Sequence, residues 1–264
     1  MRRRLAPALL VGVFALAAAA IALAQPQSGI VHIPGQQNKP LVEQGSQLYA
    51  ANCSGCHGIA GTGVTTPAQR GPGNVKGQGP PLRGVGALAA DFYLRTGYMP
   101  LRKAHEQPYR TRVLFSDHEI RAMTAYIAGL GNGPAIPQPH PETGSLSEGM
   151  HLFTEHCAGC HQIAGEGGYV TDKRVPTLKD ATPAQVAEAV RIGPYYMPKF
   201  STKDISDREL DSIVAYVQSI KHPDDRGGWG IGHIGPVPEG LVTWLLAAVV
   251  LIATCMVIGK RLSG

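Results

Sequence analysis

The chain has 264 residues and a formal net charge of +5, carried by basic residues at its two ends: Arg2, Arg3, Arg4, Lys260 and Arg261. Because these residues flank apolar segments and the stretch between them is neutral, the charge indicates membrane topology and excludes a nucleic-acid-binding surface. Four of the five cysteines fall in two short motifs, which excludes a disulfide framework. Abundant glycine and proline with few aromatic residues favour short helices joined by loops.

Residues 1–24 have the features of a targeting or membrane segment. They start with basic residues, continue through an apolar run over 5–24 and end in the small-x-small sequence Ala22-Leu23-Ala24. This layout predicts a secretory signal peptide with a cleavage site. An uncleaved N-terminal anchor is the alternative, because the run is long enough to span a bilayer. In both cases the residues that follow are exported.

A covalent haem site is predicted in the first half of the chain. Cys53-Ser54-Gly55-Cys56-His57 matches the Cys-x-x-Cys-His signature, in which the cysteines form thioethers to the haem and the histidine binds its iron. Met99, which precedes a proline, is the candidate for the other axial ligand, and His105 is the less favoured alternative. The free ring N–H of His57 needs a fixed acceptor, and the carbonyl of Pro80 is the candidate.

The second half of the chain repeats this arrangement. Cys157-Ala158-Gly159-Cys160-His161 is a second attachment motif, Met197 precedes a proline, and Pro176 takes the place of Pro80. Two motifs with a Met-Pro at a similar distance downstream predict two haems, each with histidine and methionine as axial ligands. The other methionines and histidines are expected to have different roles: Met123 and Met150 in packing, and His118, His151 and His156 as solvated surface residues.

The internal repeat also predicts the helices of two domains. Residues 45–53 align with 149–157, so a helix is expected to run into each motif. Each domain is expected to end with an amphipathic helix that begins at a Ser-x-x-Glu capping box, at Ser116 and at Ser206. A glycine and an aromatic residue recur in both aligned stretches, which predicts that the first and last helices of each domain cross closely.

The remaining segments complete the predicted organisation. Prolines make the sequence between the repeats a semi-rigid linker, and an uncharged apolar stretch near the C-terminus can span a bilayer as a helix with its basic end in the cytoplasm. Cys255 lies in this stretch and is expected to act as a small apolar residue, with lipidation as the alternative. The predicted boundaries are 1–24 for the signal peptide or anchor, 41–130 for the first haem domain, 131–144 for the linker, 145–222 for the second haem domain, 223–239 for a connector and 240–259 for the transmembrane helix.

Two features resemble known families. Gly79-Pro80-Pro81-Leu82 is similar to the Gly-Pro-x-Leu loop of class I cytochromes c, and Val175-Pro176-Thr177-Leu178 is similar except for the missing glycine. The tail, with Gly227-Gly228-Trp229 and Gly235-Pro236-Val237-Pro238-Glu239-Gly240, resembles the dihaem cytochrome c subunit of the actinobacterial-type menaquinol–cytochrome c reductase, also called the cytochrome bcc complex. The resemblance implies an all-α fold: two tandem class I cytochrome c domains plus a C-terminal transmembrane helix.

The same resemblance implies a function. A Rieske iron–sulfur protein would reduce the first of two covalently bound haem c groups, and the second would pass the electron to a haem–copper oxidase. The expected partners are cytochrome b, the Rieske subunit, an oxidase supercomplex and the membrane, with no nucleic acid. The haem domains are expected outside the plasma membrane and the C-terminus in the cytoplasm. No separate catalytic site is expected on this chain, because both axial positions of each iron are filled. The chain departs from the family in lacking a long basic N-terminal extension and in the Gly/Pro-rich stretch Gly61–Gly79.

Three alternatives stay open at this point. The chain could be a dihaem subunit of a terminal oxidase, although such subunits resembling the cbb-type usually have an N-terminal anchor. It could be a free-standing electron shuttle tethered to the membrane. The paired cysteines could also bind zinc, but a histidine directly after the second cysteine is poorly spaced for a tetrahedral site.

Overall fold

The structure is a computed structural model that describes residues 29–34, 38–64, 79–101, 108–221 and 236–262. The chain divides into two compact units, Met1–Pro137 and Gln138–Gly264. The described residues are mostly helical, in agreement with the prediction. The predicted signal peptide or anchor (1–24), His105 and the Gly227-Gly228-Trp229 part of the tail lie outside the described residues.

The first unit consists of helices joined by loops. The elements are α1 (Leu41–Asn52), α2 (Ser54–His57), a 3-10 turn (Ile59–Gly61), α3 (Gly86–Arg95) and α4 (Asp117–Ala128). As predicted, α1 ends immediately before the first attachment motif and α4 begins at a capping box. In this box the Ser116 hydroxyl accepts from the Glu119 backbone N–H, and the Glu119 carboxylate accepts from the Ser116 N–H at 2.8 Å.

The core of the first unit forms where α1 crosses α4. Gly45 lies against the backbone carbonyl of Ala122, where no side chain would fit. This close approach brings the rings of Tyr49 and Tyr126 to a centroid distance of 5.2 Å, as the paired aromatic residues predicted. Met123 is fully buried beside this crossing, which confirms its predicted packing role.

Residues on both sides of the predicted first domain (41–130) also pack on this unit. Ile30 and Ile33 lie against its core cluster, and the backbone of Val31 pairs with the side chain of Asn52 through bonds of 2.8 and 2.9 Å. At the other end, the carbonyl of Pro134 accepts from the Leu88 N–H at 3.2 Å. The packed unit therefore extends past both predicted boundaries.

The second unit contains helices and one small sheet. Its elements are a 3-10 turn (Pro141–Thr143), α5 (Leu146–His156), α6 (Ala158–His161), β1 (Gly168–Val170), β2 (Lys173–Val175), α7 (Pro183–Ile192) and α8 (Asp207–Ser219). The predicted capping box starts α8, and Thr182 with Gln185 forms a further, unpredicted box at the start of α7. Helix α5 again ends directly before the attachment motif, as predicted.

The two-stranded sheet departs from the all-α prediction. Strands β1 and β2 pair antiparallel, with Gly168 opposite Val175. Thr171 and Asp172, which connect the strands, both have positive φ angles, of 47° and 63°. Such angles at both central residues give a tight hairpin whose twist matches that of its strands. The fold is therefore mainly helical with one hairpin in its second unit.

Helices α5 and α8 cross in the same way as α1 and α4. Gly149 lies against the backbone carbonyl of Ser212, and the rings of Phe153 and Tyr216 are 5.2 Å apart. Met150 was predicted to pack inside, but it is 51% exposed and that prediction is wrong. The contact face of α5 is occupied by Gly149, so the next residue along the helix is turned away from α8.

The C-terminal helix α9 (Pro236–Leu262) is long and apolar enough to cross a membrane. The most apolar 18 residues of its stretch Gly240–Leu262 have a mean hydropathy of 2.7, and Cys255 is exposed on this helix. The helix begins at Pro236 and so includes the last residues of the predicted connector (223–239). This extension follows from the preference of proline for the first turn of a helix.

Candidate haem-binding sites

Each attachment motif forms a short helical turn that brings its cysteines and histidine together. In the first, the N–H groups of Cys56 and His57 donate to the Cys53 carbonyl at 3.1 and 2.9 Å. In the second, Cys160 and His161 donate to Cys157 at the same two distances. Residues three and four apart share one face of a helical turn, so the first cysteine of each motif lies near both the second cysteine and the histidine.

The ring of each motif histidine is held by a proline carbonyl. His57 Nδ1 lies 2.9 Å from the Pro80 oxygen, and His161 Nδ1 lies 3.2 Å from the Pro176 oxygen. A carbonyl can only accept, so Nδ1 carries the proton and the lone pair is on Nε2. Burial lowers the pKa of both imidazoles, although the bond to the carbonyl acts in the opposite direction. Both rings are therefore neutral, with Nε2 available to bind a metal.

The loop that carries Pro80 is hydrogen-bonded to the first attachment motif. The Gly79 N–H donates to the Cys56 carbonyl at 2.9 Å, and the Val64 N–H donates to the Gly79 carbonyl at 3.0 Å. A Cβ atom on Gly79 would lie 2.9 Å from His57 Nδ1 and closer still to the Cys56 carbonyl. Only glycine fits this approach, which explains the Gly-Pro sequence.

The second unit reaches the same carbonyl position from the β-hairpin. Val175 ends β2 directly before Pro176, and the hairpin takes the role that the Gly79 contact has in the first unit. One further hydrogen bond occurs at the equivalent place in both units. Gly63 and Gly167 donate to the carbonyl of the motif histidine, at 2.7 and 3.1 Å. The second loop has Val175 where the first has Gly79, and the β-hairpin holds Pro176 in place of the glycine contact.

The two predicted methionines lie on the same clusters as the first cysteine of each motif. Met99 and Cys53 both pack against the buried cluster that includes Leu48. Met197 packs against the cluster that contains Cys157. Cysteine and methionine therefore share one apolar core in each unit, while the axial pairs His57/Met99 and His161/Met197 remain predictions.

The grouping of the described side chains does not support a zinc site. Burial, with a smaller contribution from the neighbouring cysteine, raises the pKa of Cys53 to about 12 and that of Cys157 to about 11. In the part of the chain that the structure describes, no group of three or more His, Cys, Asp or Glu side chains could hold a metal ion. Paired neutral thiols beside a neutral imidazole instead fit the covalent attachment of haem c.

The structure shows two arginines that the sequence did not single out. Arg95 is the last residue of α3 and Arg191 the second-last residue of α7, and each donates at 2.7 Å to a first-turn aspartate, Asp117 on α4 or Asp207 on α8. The repeat offered a signal, because each arginine precedes a glycine by two residues and each aspartate follows a capping serine.

One histidine also differs from its prediction. His118 is half-buried, and its Nε2 lies 2.7 Å from Gln44 Oε1 on α1. It links α4 to α1 and is not simply solvated. His151 and His156 are exposed, as predicted.

Comparisons with known proteins give a consistent assignment. Residues 42–131 match the family model described as cytochrome c, and 144–217 match that of cytochrome c oxidase, cbb3-type, subunit III. Two relatives are named cytochrome bc1 complex cytochrome c subunit. The one from Corynebacterium diphtheriae is 33% identical over 86% of this chain and 83% of its own length. The one from Mycobacterium tuberculosis is 32% identical over 99% of this chain and 92% of its own length. The Helicobacter pylori cbb3-type cytochrome c oxidase subunit CcoP is 23% identical over 71% of this chain and 61% of its own length.

Proposed function

The chain belongs to the family of cytochrome c subunits of the cytochrome bc1 complex, and we propose that it relays electrons from a Rieske iron–sulfur protein to a terminal haem–copper oxidase. The observation that carries the proposal is the repeated motif turn, in which a neutral histidine is fixed by a proline carbonyl in both units of the chain. A relay needs two such centres on one polypeptide.

Two haem c groups are proposed, each held by side chains of one unit. Cys53 and Cys56 would form the thioethers of the first, with His57 and Met99 on its iron. The second would be held in the same way by Cys157, Cys160, His161 and Met197. When bound, each haem supplies a one-electron iron couple, whose potential is higher with a methionine ligand than with two histidines.

The protein groups around each site orient the ligands and leave no position open. The Pro80 and Pro176 carbonyls fix the tautomer of each imidazole and prevent the ring from rotating, which also raises the basicity of the ligand nitrogen. With histidine on one side and methionine on the other, neither oxygen nor peroxide could reach the iron. The chain would therefore transfer electrons without a catalytic site of its own.

The C-terminal helix supports the proposal that the protein is anchored in a membrane together with the other subunits of the complex. Lys260 and Arg261 follow the apolar stretch, and basic residues favour the cytoplasmic side, so the two haem-binding parts of the chain would be extracytoplasmic at the plasma membrane. The proposed partners are cytochrome b and the Rieske subunit, with the oxidase as acceptor in a supercomplex. The first unit would receive the electron and the second would pass it on.

Membership of an oxidase is the second candidate function. Residues 144–217 match a cbb3-type oxidase subunit model, and the similarity to CcoP favours it. That similarity covers less of both chains at lower identity than the similarity to the bc1 complex subunits. A free-standing tethered shuttle has no specific observation in its favour.

Purification in a mild detergent through a tag on this chain tests the proposal. We expect cytochrome b, a Rieske protein and an oxidase to be recovered with it. Repeated recovery of the chain alone would contradict the relay, and recovery with an oxidase but no cytochrome b would favour the second candidate.

Haem attachment is tested on the same preparation. A haem stain after denaturing electrophoresis should remain positive when Cys53 and Cys56 are replaced by alanine, and also when Cys157 and Cys160 are replaced. Only the combined variant should lose the stain. A stain abolished by either pair alone would contradict two independent sites.

A further inference from the structure

The arginine in the last turn of helix α7 contacts the loop that carries Met197. Arg191 is the residue before Ile192, where α7 ends, and the chain then turns at Gly193 with a left-handed φ of 64°. The Arg191 side chain is only 11% exposed, although it carries a full charge. A charged group buried to this extent needs several hydrogen-bond acceptors around it.

Those acceptors are mainly backbone carbonyls of the methionine loop. Arg191 Nη1 donates to the carbonyls of Phe200, Ser201 and Ile205 at 3.3, 3.2 and 2.8 Å. Nη2 donates to Asp207 Oδ1 at 2.7 Å, but the Asp207 side chain is 84% exposed and well solvated. The planar guanidinium therefore joins the end of α7, residues 200–205 of the loop and the start of α8. We call residues 200–205 the return half of the loop.

The other half of the loop, which includes Met197, makes fewer hydrogen bonds to the rest of the unit. The Met197 N–H donates to the Pro194 carbonyl within a turn, at 3.1 Å. Tyr195 and Tyr196 next to it are both exposed. Beyond the methionine, the Phe200 N–H donates to the Val190 carbonyl on α7 at 3.0 Å. Met197 also packs against the core cluster that contains Cys157, so its position depends on this packing and on where the return half is held.

We propose that Arg191 is a positioning residue for Met197: its carbonyl bonds hold the loop so that the methionine sulfur is kept directed at the second haem. The inference rests on the proposed ligation of that haem by Met197. Lysine could keep the charge but not the bonds, because its single ammonium group cannot reach three carbonyls and a carboxylate in one fixed plane.

The first unit supplies a matched control. Arg95 occupies the equivalent place, but its Nε donates to both carboxylate oxygens of Asp91, at 2.9 and 2.8 Å, and its Nη1 to Asp117. The methionine loop there has its own backbone tie, because the Met99 N–H donates to the Tyr93 carbonyl at 3.0 Å. In the part of this loop that the structure describes, Arg95 donates to no carbonyl.

The test uses the full chain with its haems and compares Arg191→Gln and Arg191→Lys with Arg95→Gln. Asp207→Asn removes only the ion pair, and Arg208→Gln changes an exposed arginine nearby. Two readouts report the sulfur–iron bond: the long-wavelength absorption band of ferric haem with methionine ligation, and carbon monoxide binding to ferrous haem, which requires the sulfur to leave.

We expect both Arg191 variants to lose the methionine band of one haem and to gain carbon monoxide binding at that haem. Loss of hydrogen bonds from a charged donor should shift the equilibrium between bound and displaced sulfur about tenfold or more. Asp207→Asn and Arg208→Gln should keep both methionine bands, and Arg95→Gln should change the first haem less than Arg191→Gln changes the second.

Unchanged bands and no carbon monoxide binding in either folded Arg191 variant would overturn the proposal. If Arg191→Gln does not accumulate, Arg191→Lys decides, because it keeps the charge and the aliphatic stem. Loss of the band in Asp207→Asn but not in Arg191→Lys would also overturn it, since the ion pair would then be responsible. A wild-type chain without two methionine bands would instead contradict the proposed ligation itself.

Discussion

Both units contain the same pair of packed aromatic rings, but the tyrosine that bonds the loop after the motif lies on the first helix of one unit and on α8 of the other. In the first unit the tyrosine whose hydroxyl fixes the loop after the motif is Tyr49 on α1, which donates to the Gly58 carbonyl at 2.8 Å. In the second unit α5 carries Phe153 at the equivalent place, and Tyr216 on α8 donates to the Ile163 carbonyl at 2.9 Å. The ring separation is 5.2 Å in both. The repeat has kept the contact geometry, while the helix that supplies the hydroxyl has changed.

The methionine loops differ more than the crossings do. In the first unit Tyr98, just before Met99, is buried with Phe92 and Tyr93. In the second unit the residues before Met197 are two exposed tyrosines, and the loop depends on an arginine. The motif histidine is therefore bonded to a proline carbonyl in both units, whereas the loops that carry Met99 and Met197 are held by different contacts.

Exchange of each methionine for histidine gives the largest expected effect. Met99→His and Met197→His should each keep two covalent haems and lower one potential, because loss of the thioether removes its preference for ferrous iron. The fall should be on the order of 0.1 V, within the roughly 0.8 V range that axial ligands span. A redox titration of each variant measures this. An unchanged titration for one variant would show that its methionine is not a ligand and that the units differ in ligation.

Alanine at the two crossing glycines should destabilise both units alike. The added Cβ of Gly45→Ala or Gly149→Ala would meet a backbone carbonyl that cannot move aside, so each should lose about 3 kcal/mol, at the upper end of overpacking effects. Thermal unfolding followed by circular dichroism measures the loss, with Gly129→Ala as the control at an exposed helix end, where an added Cβ would lie 3.3 Å from its nearest neighbour. A large effect in one unit only would show that the two crossings are not equivalent.

The tyrosine hydroxyls should differ in their contribution to stability. Gly58 is buried, so Tyr49→Phe leaves a carbonyl that water cannot reach and should cost about 2 kcal/mol. Ile163 is exposed, so Tyr216→Phe should cost only about 0.5–1 kcal/mol. Chemical unfolding compares both with Tyr126→Phe, whose hydroxyl makes no hydrogen bond among the described residues. Equal losses in the two units would contradict this difference in burial.

The capping boxes give the smallest effect and a pH dependence. Ser116→Ala and Ser206→Ala should each cost about 1 kcal/mol of unfolding free energy. Bonds from the Ser206 backbone and hydroxyl lower the pKa of Glu209 below its ordinary value of 4.5. A carboxyl with a lowered pKa stabilises the fold above its unfolded-state pKa, and this stability is lost as the pH falls through the folded-state value.

Acid unfolding curves of Glu209→Gln test that dependence. The variant should lose less stability than the wild type as the pH falls below about 4.5, where the unfolded carboxyl begins to bind protons. The matched variant in the first unit is Glu119→Gln, whose carboxyl also contacts His32 at 2.9 Å. Identical slopes for wild type and Glu209→Gln would show that the bond to Ser206 does not persist in solution.

Local patterns explain what the sequence could predict. The attachment turns and the capping boxes depend on residues within a few positions of one another, and the repeat doubled these signals and singled out the glycine at each crossing. The β-hairpin left no such cue, because Thr171 and Asp172 replace the Asn-Gly that normally marks this turn. The bonds from Arg191 to the return half of its loop arise only when α7 and α8 pack, so helical periodicity could not reveal them.

The segment before α1 determines how short a stable fragment of the first unit can be. A fragment beginning at Leu41 would lack Ile30 and Ile33 and would leave the Asn52 side chain, which precedes Cys53, without the Val31 backbone that it bonds. A fragment ending at residue 130 would likewise lack the Pro134 carbonyl that Leu88 bonds. A separately expressed first domain should therefore begin no later than Gly29 and extend beyond Pro134.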